Sequence, residues 1–187
     1  TLLGILDNKA RKGVAGQLVS SAHDFNEHDR YKTLSDLGGE IYVVGSKDIA
    51  GFDFMHNKFC VIDYKTVITG SYKWTKNANS NEENIVIIND SKGARQYSTK
   101  CVELIQNGNV IDFDDSNDIR LSITTPTALV ESGNNIEIFW KVENAEDISI
   151  EGIGSSLEMK GSHSVKINQT RVFKITAREG VFSKTKT

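Results

Sequence analysis

A chain of 187 residues has room for one large or two small domains, and 38% hydrophobic with 25% charged residues is the balance of a folded globular protein. No apolar run approaches the ~20 residues of a membrane span, and a net charge of −3, with neither half net basic, excludes a general field for polyanions. Two cysteines outside any Cys-x-x-Cys or His/Cys ligand spacing exclude a disulfide framework, so Cys60 and Cys101 are expected as buried, reduced thiols and no metal or other cofactor is expected.

From the N-terminus, Leu2, Leu3, Leu6 and Ala10 recur at helical spacing before two basic residues and Gly13, which predicts a helix over 1–12. A strand follows over 14–20. Residues 21–30 are polar without either period and read as a loop near the site, with His23 and His28 as solvated loop histidines. A short helix from Tyr31 to Leu37, closed by Gly38-Gly39, leads into a strand from Glu40 to Val44.

The chemistry is concentrated in the next stretch. His56 and Lys58 are two apart at the start of an apolar run, Phe59 to Ile62, and residues i and i+2 of a strand share a face. Asp63 to Thr66 reads as a turn and Val67 to Thr69 as a returning strand, which brings Gly70-Ser71 back beside His56. A histidine beside a fixed cation and a hydroxyl can hold a phosphoryl group. Asp63, five residues beyond Lys58, falls on the opposite face and is expected to be structural.

Residues 72–81 are a polar wrap in which Trp74 is a packing wedge; Asn84 to Ile88 then reads as a buried strand and Ser91 to Gln106 as a helix, stopped at Asn107-Gly108-Asn109. The alternation of strands and helices predicts an α/β sandwich with a mixed sheet over residues 1–111. The acidic run at 112–118 reads as a linker.

Beyond it come short alternating runs at 119–123, 136–142, 148–150, 164–167 and 172–176, punctuated by glycines, with Trp140 on an early one. This texture predicts an all-β immunoglobulin-like sandwich over 119–187. Trp140-x-Val142, Asn144-Ala145, Ile150 to Gly154, Gly161-Ser162 and Thr170-x-x-Phe173 also resemble a bacterial Ig-like repeat, which implies a module that docks a protein partner or spaces its neighbour.

The pattern His56-x-Lys58-x4-Asp63-x6-Gly70-Ser71 resembles the HKD motif of the phospholipase D superfamily. Trp74-Thr75 and Asn81-Glu82-Glu83-Asn84 extend the likeness toward its single-motif bacterial nucleases. The chain departs from that pattern at Lys73, where the family often has Asn, and in a connection to Glu83 that is one residue short. Arg11-Lys12-Gly13-Val14 is similar to the Arg-Gly-Val turn after the family's first helix, whose opening strands precede it. The resemblance therefore implies a phospholipase D-like domain that is N-terminally incomplete.

It also implies a division of labour in the site. His56 would be the nucleophile, forming a phosphohistidine; Lys58 would hold the phosphate oxygens; Ser71 would add hydrogen bonds; Glu83 would orient the imidazole; and Asp63, Gly70 and Asn84 would support them. The two-step displacement uses two histidines, so one motif implies a homodimer with a shared two-fold site, or a second motif in an N-terminal segment. The expected activity is that of a metal-independent phosphodiesterase, a nuclease acting on DNA or RNA. The alternatives are a phospholipase or phosphatidyl-transfer enzyme, which the lack of an amphipathic or basic membrane-facing stretch disfavours, and a catalytically silent scaffold that binds partners through its Ig-like half. No charged-then-apolar leader is visible, and a cytoplasmic location is the expectation.

Overall fold

Leu3, Leu6 and Ala10 give the first helix, α1 (Leu2–Ala10), its inward stripe, and Gly13 ends it. With φ at +80°, Gly13 lets its own N–H reach Ala10 O at 2.8 Å while the Val14 N–H reaches Lys9 O at 3.1 Å, so two otherwise orphaned carbonyls are satisfied. The computed structural model describes residues 2–22, 25, 29–45, 55–75, 77–111, 113 and 118–187. His23, His28 and positions 112 and 114–117 of the acidic run therefore lie outside the described residues.

Strand β1 (Gln17–Ser21) pairs in parallel with β2 (Glu40–Val44), and helix α2 (Asp29–Asp36) lies between them in sequence. Ile41 and Val43 face a cluster with Ala22, Phe25 and Leu34, on which α1 and α2 pack; each of the larger side chains contributes roughly 1.5–3 kcal/mol on burial. Tyr42 alternates to the opposite face and is fully buried. The hairpin strands β3 (Phe59–Ile62) and β4 (Thr66–Gly70) continue antiparallel into β5 (Ile85–Asn89). Helix α3 (Ser91–Asn107) follows, with Asp90 as N-cap accepting from the Gly93 N–H at 2.6 Å. Ala94, Ser98, Val102 and Ile105 form its buried face, which lies against strands of both sheets. Strand β6 (Asn109–Val110) then joins β2 antiparallel, so β1-β2-β6 is a mixed sheet flanked by helices.

Two expectations are corrected here. Among the described residues, the hairpin expected to be catalytic does not join the mixed sheet; β3-β4-β5 is a separate antiparallel sheet, connected to the first through α3 rather than through backbone hydrogen bonds. The strand expected to be buried is also mostly open, with Ile85 at 51%, Val86 at 46% and Ile87 at 61% exposure. Among the described residues its ladder partner is β4 alone, and Ile88, next to the start of α3, is its one half-buried residue.

Residues 118–187 are β-rich. Strands β7 (Arg120–Thr124), β8 (Asn135–Glu143) and β11 (Lys160–Lys166) form one antiparallel sheet; β9 (Asp147–Ile150), β10 (Gly154–Ser155), β12 (Ile175–Glu179) and β13 (Phe182–Lys186) form another. Leu121, Trp140 and Val142 from the first meet Ile148, Ile150, Ile175 and Ala177 from the second in one core. Trp140 donates its indole N–H to Glu158 O at 2.8 Å, as a buried tryptophan must. The strand expected at 172–176 is displaced to 175–179, because Ile175 and Ala177 are the inward pair while Val172 is 71% exposed. Among the described residues, Lys186 Nζ to Glu40 at 2.6 Å and Lys141 Nζ to Gly108 O are polar ties between the two stretches, and β7 lies against β6.

Candidate active site

Residues 55–58 run extended into β3 and carry His56 on the surface and Lys58 half-buried beside it. Lys58 Nζ stands 2.9 Å from His56 Nε2 and donates to His56 O at 3.2 Å. An ammonium has donors only, so in this contact Nε2 is the acceptor. The contact sets a cation beside the imidazole, and an anionic phosphoryl group that takes the Lys58 donor would free the Nε2 lone pair. Thr69 Oγ1 donates to Lys58 O at 3.0 Å and ties this corner to β4.

The other half of the cluster rests on a close approach. Gly70 has φ at +148°, and a Cβ there would lie 2.1 Å from Asn84 O, so only glycine lets β4 and β5 meet at this point. The Ser71 N–H then donates to Asn84 Oδ1 at 2.8 Å and Asn84 O at 3.2 Å, while the Asn84 N–H donates to Ser71 Oγ at 3.0 Å. Ser71 Oγ donates to Glu83 Oε2, and Asn81 Nδ2 donates to Glu83 Oε1 at 3.1 Å. These two bonds, with the Lys73 and Lys58 charges adding to them, hold the Glu83 carboxyl below its usual range.

Because Phe59 pairs with Thr69 and Gly70 with Ile85, both halves lie at one end of the same sheet. His56, Lys58, Ser71, Glu83, Gly70 and Asn84 are thus brought together. Asp63 is not: it sits with φ at +53° in the hairpin turn at the far end of β3, roughly 16 Å along the strand from Lys58. Both Glu83 oxygens are engaged by Ser71 and Asn81, two contacts that sequence reasoning did not anticipate. Asn81 opens the Asn81-Glu82-Glu83-Asn84 motif with no expected role of its own, and Thr69 carries no signal beyond strand propensity. Cys60 and Cys101, expected to be buried, are half-buried free thiols; burial pushes both up, Cys101 to about 11. A depression of about 230 Å³ lined by Asn57, Phe59, Gln96, Tyr97 and Lys100 borders the motif. Among the described residues no group of three His, Cys, Asp or Glu side chains converges as a metal site would. No helix among them is long and apolar enough to cross a membrane.

Residues 1–105, more than half the chain, match the family described as "Cardiolipin synthase, PLD-like domain". The chain belongs to this family. The PLD-like domain carries one HKD motif and every candidate site residue, and the β-rich stretch from 118 lies outside the match. Among proteins similar to it, "Phospholipase D" of Rickettsia prowazekii (strain Madrid E) is 29% identical over 109 residues, 58% of this chain and 51% of that protein. "Mitochondrial cardiolipin hydrolase" of Xenopus laevis is 47% identical over 52 residues, 27% of this chain and 25% of that protein. The chain thus spans about half, or less, of the length of the curated relatives it matches. In fold, the PLD-like domain is similar to Nuc of Salmonella typhimurium, a phospholipase D family member, with a TM-score of 0.51 at 23% identity over 59% of this chain and 72% of that one.

Proposed function

We propose that the chain is a phosphodiesterase of the PLD-like family acting through a phosphohistidine on His56, and that its substrate is DNA or RNA. The observation that carries this reading is His56 Nε2 held 2.9 Å from the Lys58 ammonium, at the same sheet end as the Ser71–Glu83 pair. In the first step Nε2 attacks phosphorus, the P–O bond to the leaving alkoxide breaks, and an acid delivers a proton to that oxygen. Lys58 and Ser71 neutralise the equatorial oxygens, and Glu83 with Asn84 keeps Ser71 in place. Water then attacks phosphorus, breaks the P–N bond and gives its proton to the group that served as acid.

A second histidine is required for that acid, and this stretch carries one HKD motif, so His56 of a second copy in a two-fold dimer would supply it. Mixing inactive His56→Asn with wild type by co-expression should lower activity below the fraction of wild-type chains; linear dependence would mean that each chain works alone or that a second motif lies in an N-terminal segment. Residues 119–187, with a core of their own across two sheets, are proposed to be the Ig-like module, joined to the catalytic stretch 1–111. The names phospholipase D and mitochondrial cardiolipin hydrolase among the relatives favour a second reading, a phospholipid substrate. Incubation in chelator with plasmid, RNA and phosphatidylcholine separates the readings. Cleavage of either nucleic acid supports the first, cleavage of lipid alone the second, and cleavage of none supports a silent scaffold.

A further inference from the structure

The segment that leaves the catalytic cluster has a composition the reaction itself does not use. Ser71 belongs to the cluster, and Tyr72, Lys73 and Trp74 follow directly. Tyr72 and Trp74 are half-buried and meet edge to face, with ring centroids 5.9 Å apart. The Tyr72 hydroxyl donates to Asn79 Oδ1 at 2.6 Å, which fixes its ring against the short 3-10 turn Asn77–Ser80. Trp74 takes φ at +59°, so the chain turns sharply here instead of extending away from the site. Lys73, between them in sequence, is exposed and lies at most about 7 Å along the chain from Ser71.

We propose that Lys73 and Trp74 form a polynucleotide subsite beside the catalytic cluster, in which the ammonium takes the phosphate next to the scissile one and the indole stacks on an unpaired base. This rests on the phosphodiesterase reading and narrows its substrate to nucleic acid with a single-stranded segment. A polynucleotide repeats its phosphate at every nucleotide, ~3.4 Å of axis per strand in a duplex, so a second cation one step from the first finds a partner. A lone phosphodiester offers Lys73 nothing beyond what Lys58 already binds. An aromatic face accepts any base without reading its edges, but only where the base has left its stack. The electrostatics agree, since the Lys73 charge is felt at the Glu83 carboxylate inside the cluster.

The test uses the full chain bearing His56→Asn, which binds without cleaving, titrated with a twelve-residue oligothymidylate. The chain has two tryptophans, and Trp140 is only 5% exposed, so quenching of emission reports Trp74. Quenching is expected, and Trp74→Phe should abolish most of it. Lys73→Gln should lower the slope of log K against log salt by about 0.7, one phosphate contact on a single strand. Trp74→Ala should weaken binding roughly tenfold; Lys73→Gln, at an exposed position, keeps the test valid if that variant does not fold. An unchanged salt slope in Lys73→Gln, or quenching by phosphatidylcholine vesicles and not by the oligonucleotide, would overturn the proposal. Turnover of a nitrophenyl phosphodiester by wild type distinguishes the two claims. Turnover without oligonucleotide binding sinks the subsite alone, whereas binding without turnover sinks the reaction and leaves the subsite standing.

Discussion

Replacing Gly70 by alanine should disable the site without touching any side chain in it. The new Cβ would lie 2.1 Å from Asn84 O, 2.9 Å from Asn84 C and 3.1 Å from Ile85 Cα, all backbone atoms that cannot swing away. Relief requires β4 and β5 to part by about 1 Å at this point. The bonds between Ser71 and Asn84, now 2.8 to 3.2 Å, would then stretch past hydrogen-bonding range. Holding a non-glycine residue at φ +148° adds about 1–3 kcal/mol, and the steric overlap a comparable amount, so the loss should be about 3 kcal/mol. Urea unfolding monitored by circular dichroism measures it, with an unchanged m-value as the control for two-state behaviour. Turnover of a nitrophenyl phosphodiester should fall roughly a hundredfold, because Ser71 and Glu83 shift by about an ångström. Gly13→Ala is the comparison: φ there is +80° with nothing within 4 Å of the added carbon, so it should lose only about 1–2 kcal/mol and keep activity. A Gly70→Ala protein as stable and as active as wild type would refute the reasoning.

Burial, reinforced by the Glu40 carboxylate, pushes the Tyr42 phenol well above its ordinary value. The folded chain therefore keeps a proton that the unfolded chain releases near pH 10.0, so stability should be fully present below that pH and fall as pH rises above it. Melting temperatures from pH 8 to 11 should show this decline, and Tyr42→Phe should flatten it. Cys101, with its thiol raised from 9.0 to about 11, should react with iodoacetamide at pH 8 roughly a hundredfold more slowly than an ordinary thiol; mass spectrometry of the peptide reads the rate. Glu83 acts in the opposite sense: its depressed carboxyl keeps the Ser71 clasp above the ordinary carboxylate range, and the clasp is lost as pH falls through the lowered value. Glu83→Gln should therefore remove the lowest-lying acid limb of the rate profile.

The chemistry was legible in the sequence because it is local: His56, Lys58 and Ser71 lie within one hairpin, whose register follows from apolar alternation and a turn. Glu83 and Asn84 follow at the start of the next strand, where the Gly70 close approach delivers them. What could not be read was burial. Ile85 to Ile88 is an apolar run whose letters are the same on an open edge as in a core, since periodicity reports pattern and not what covers it. The β12–β13 hairpin escaped because Phe182-Ser-Lys-Thr-Lys has one apolar residue and its turn, at Gly180, follows a charged pair. Glu40 was equally silent as a node, though it accepts from Gln17 and Tyr42 and pairs with Lys186 from the far end of the chain. Such long-range pairings leave no spacing to detect.

The central claim is that His56 becomes covalently phosphorylated. Rapid acid-free quenching of wild type turning over a radiolabelled phosphodiester, followed by peptide mapping, measures it directly. The His56 peptide should carry a label that survives base and is lost in mild acid, absent from His56→Asn, whose turnover should drop by several orders of magnitude. Sustained turnover by His56→Asn, or wild-type turnover with no label on that peptide, would contradict it.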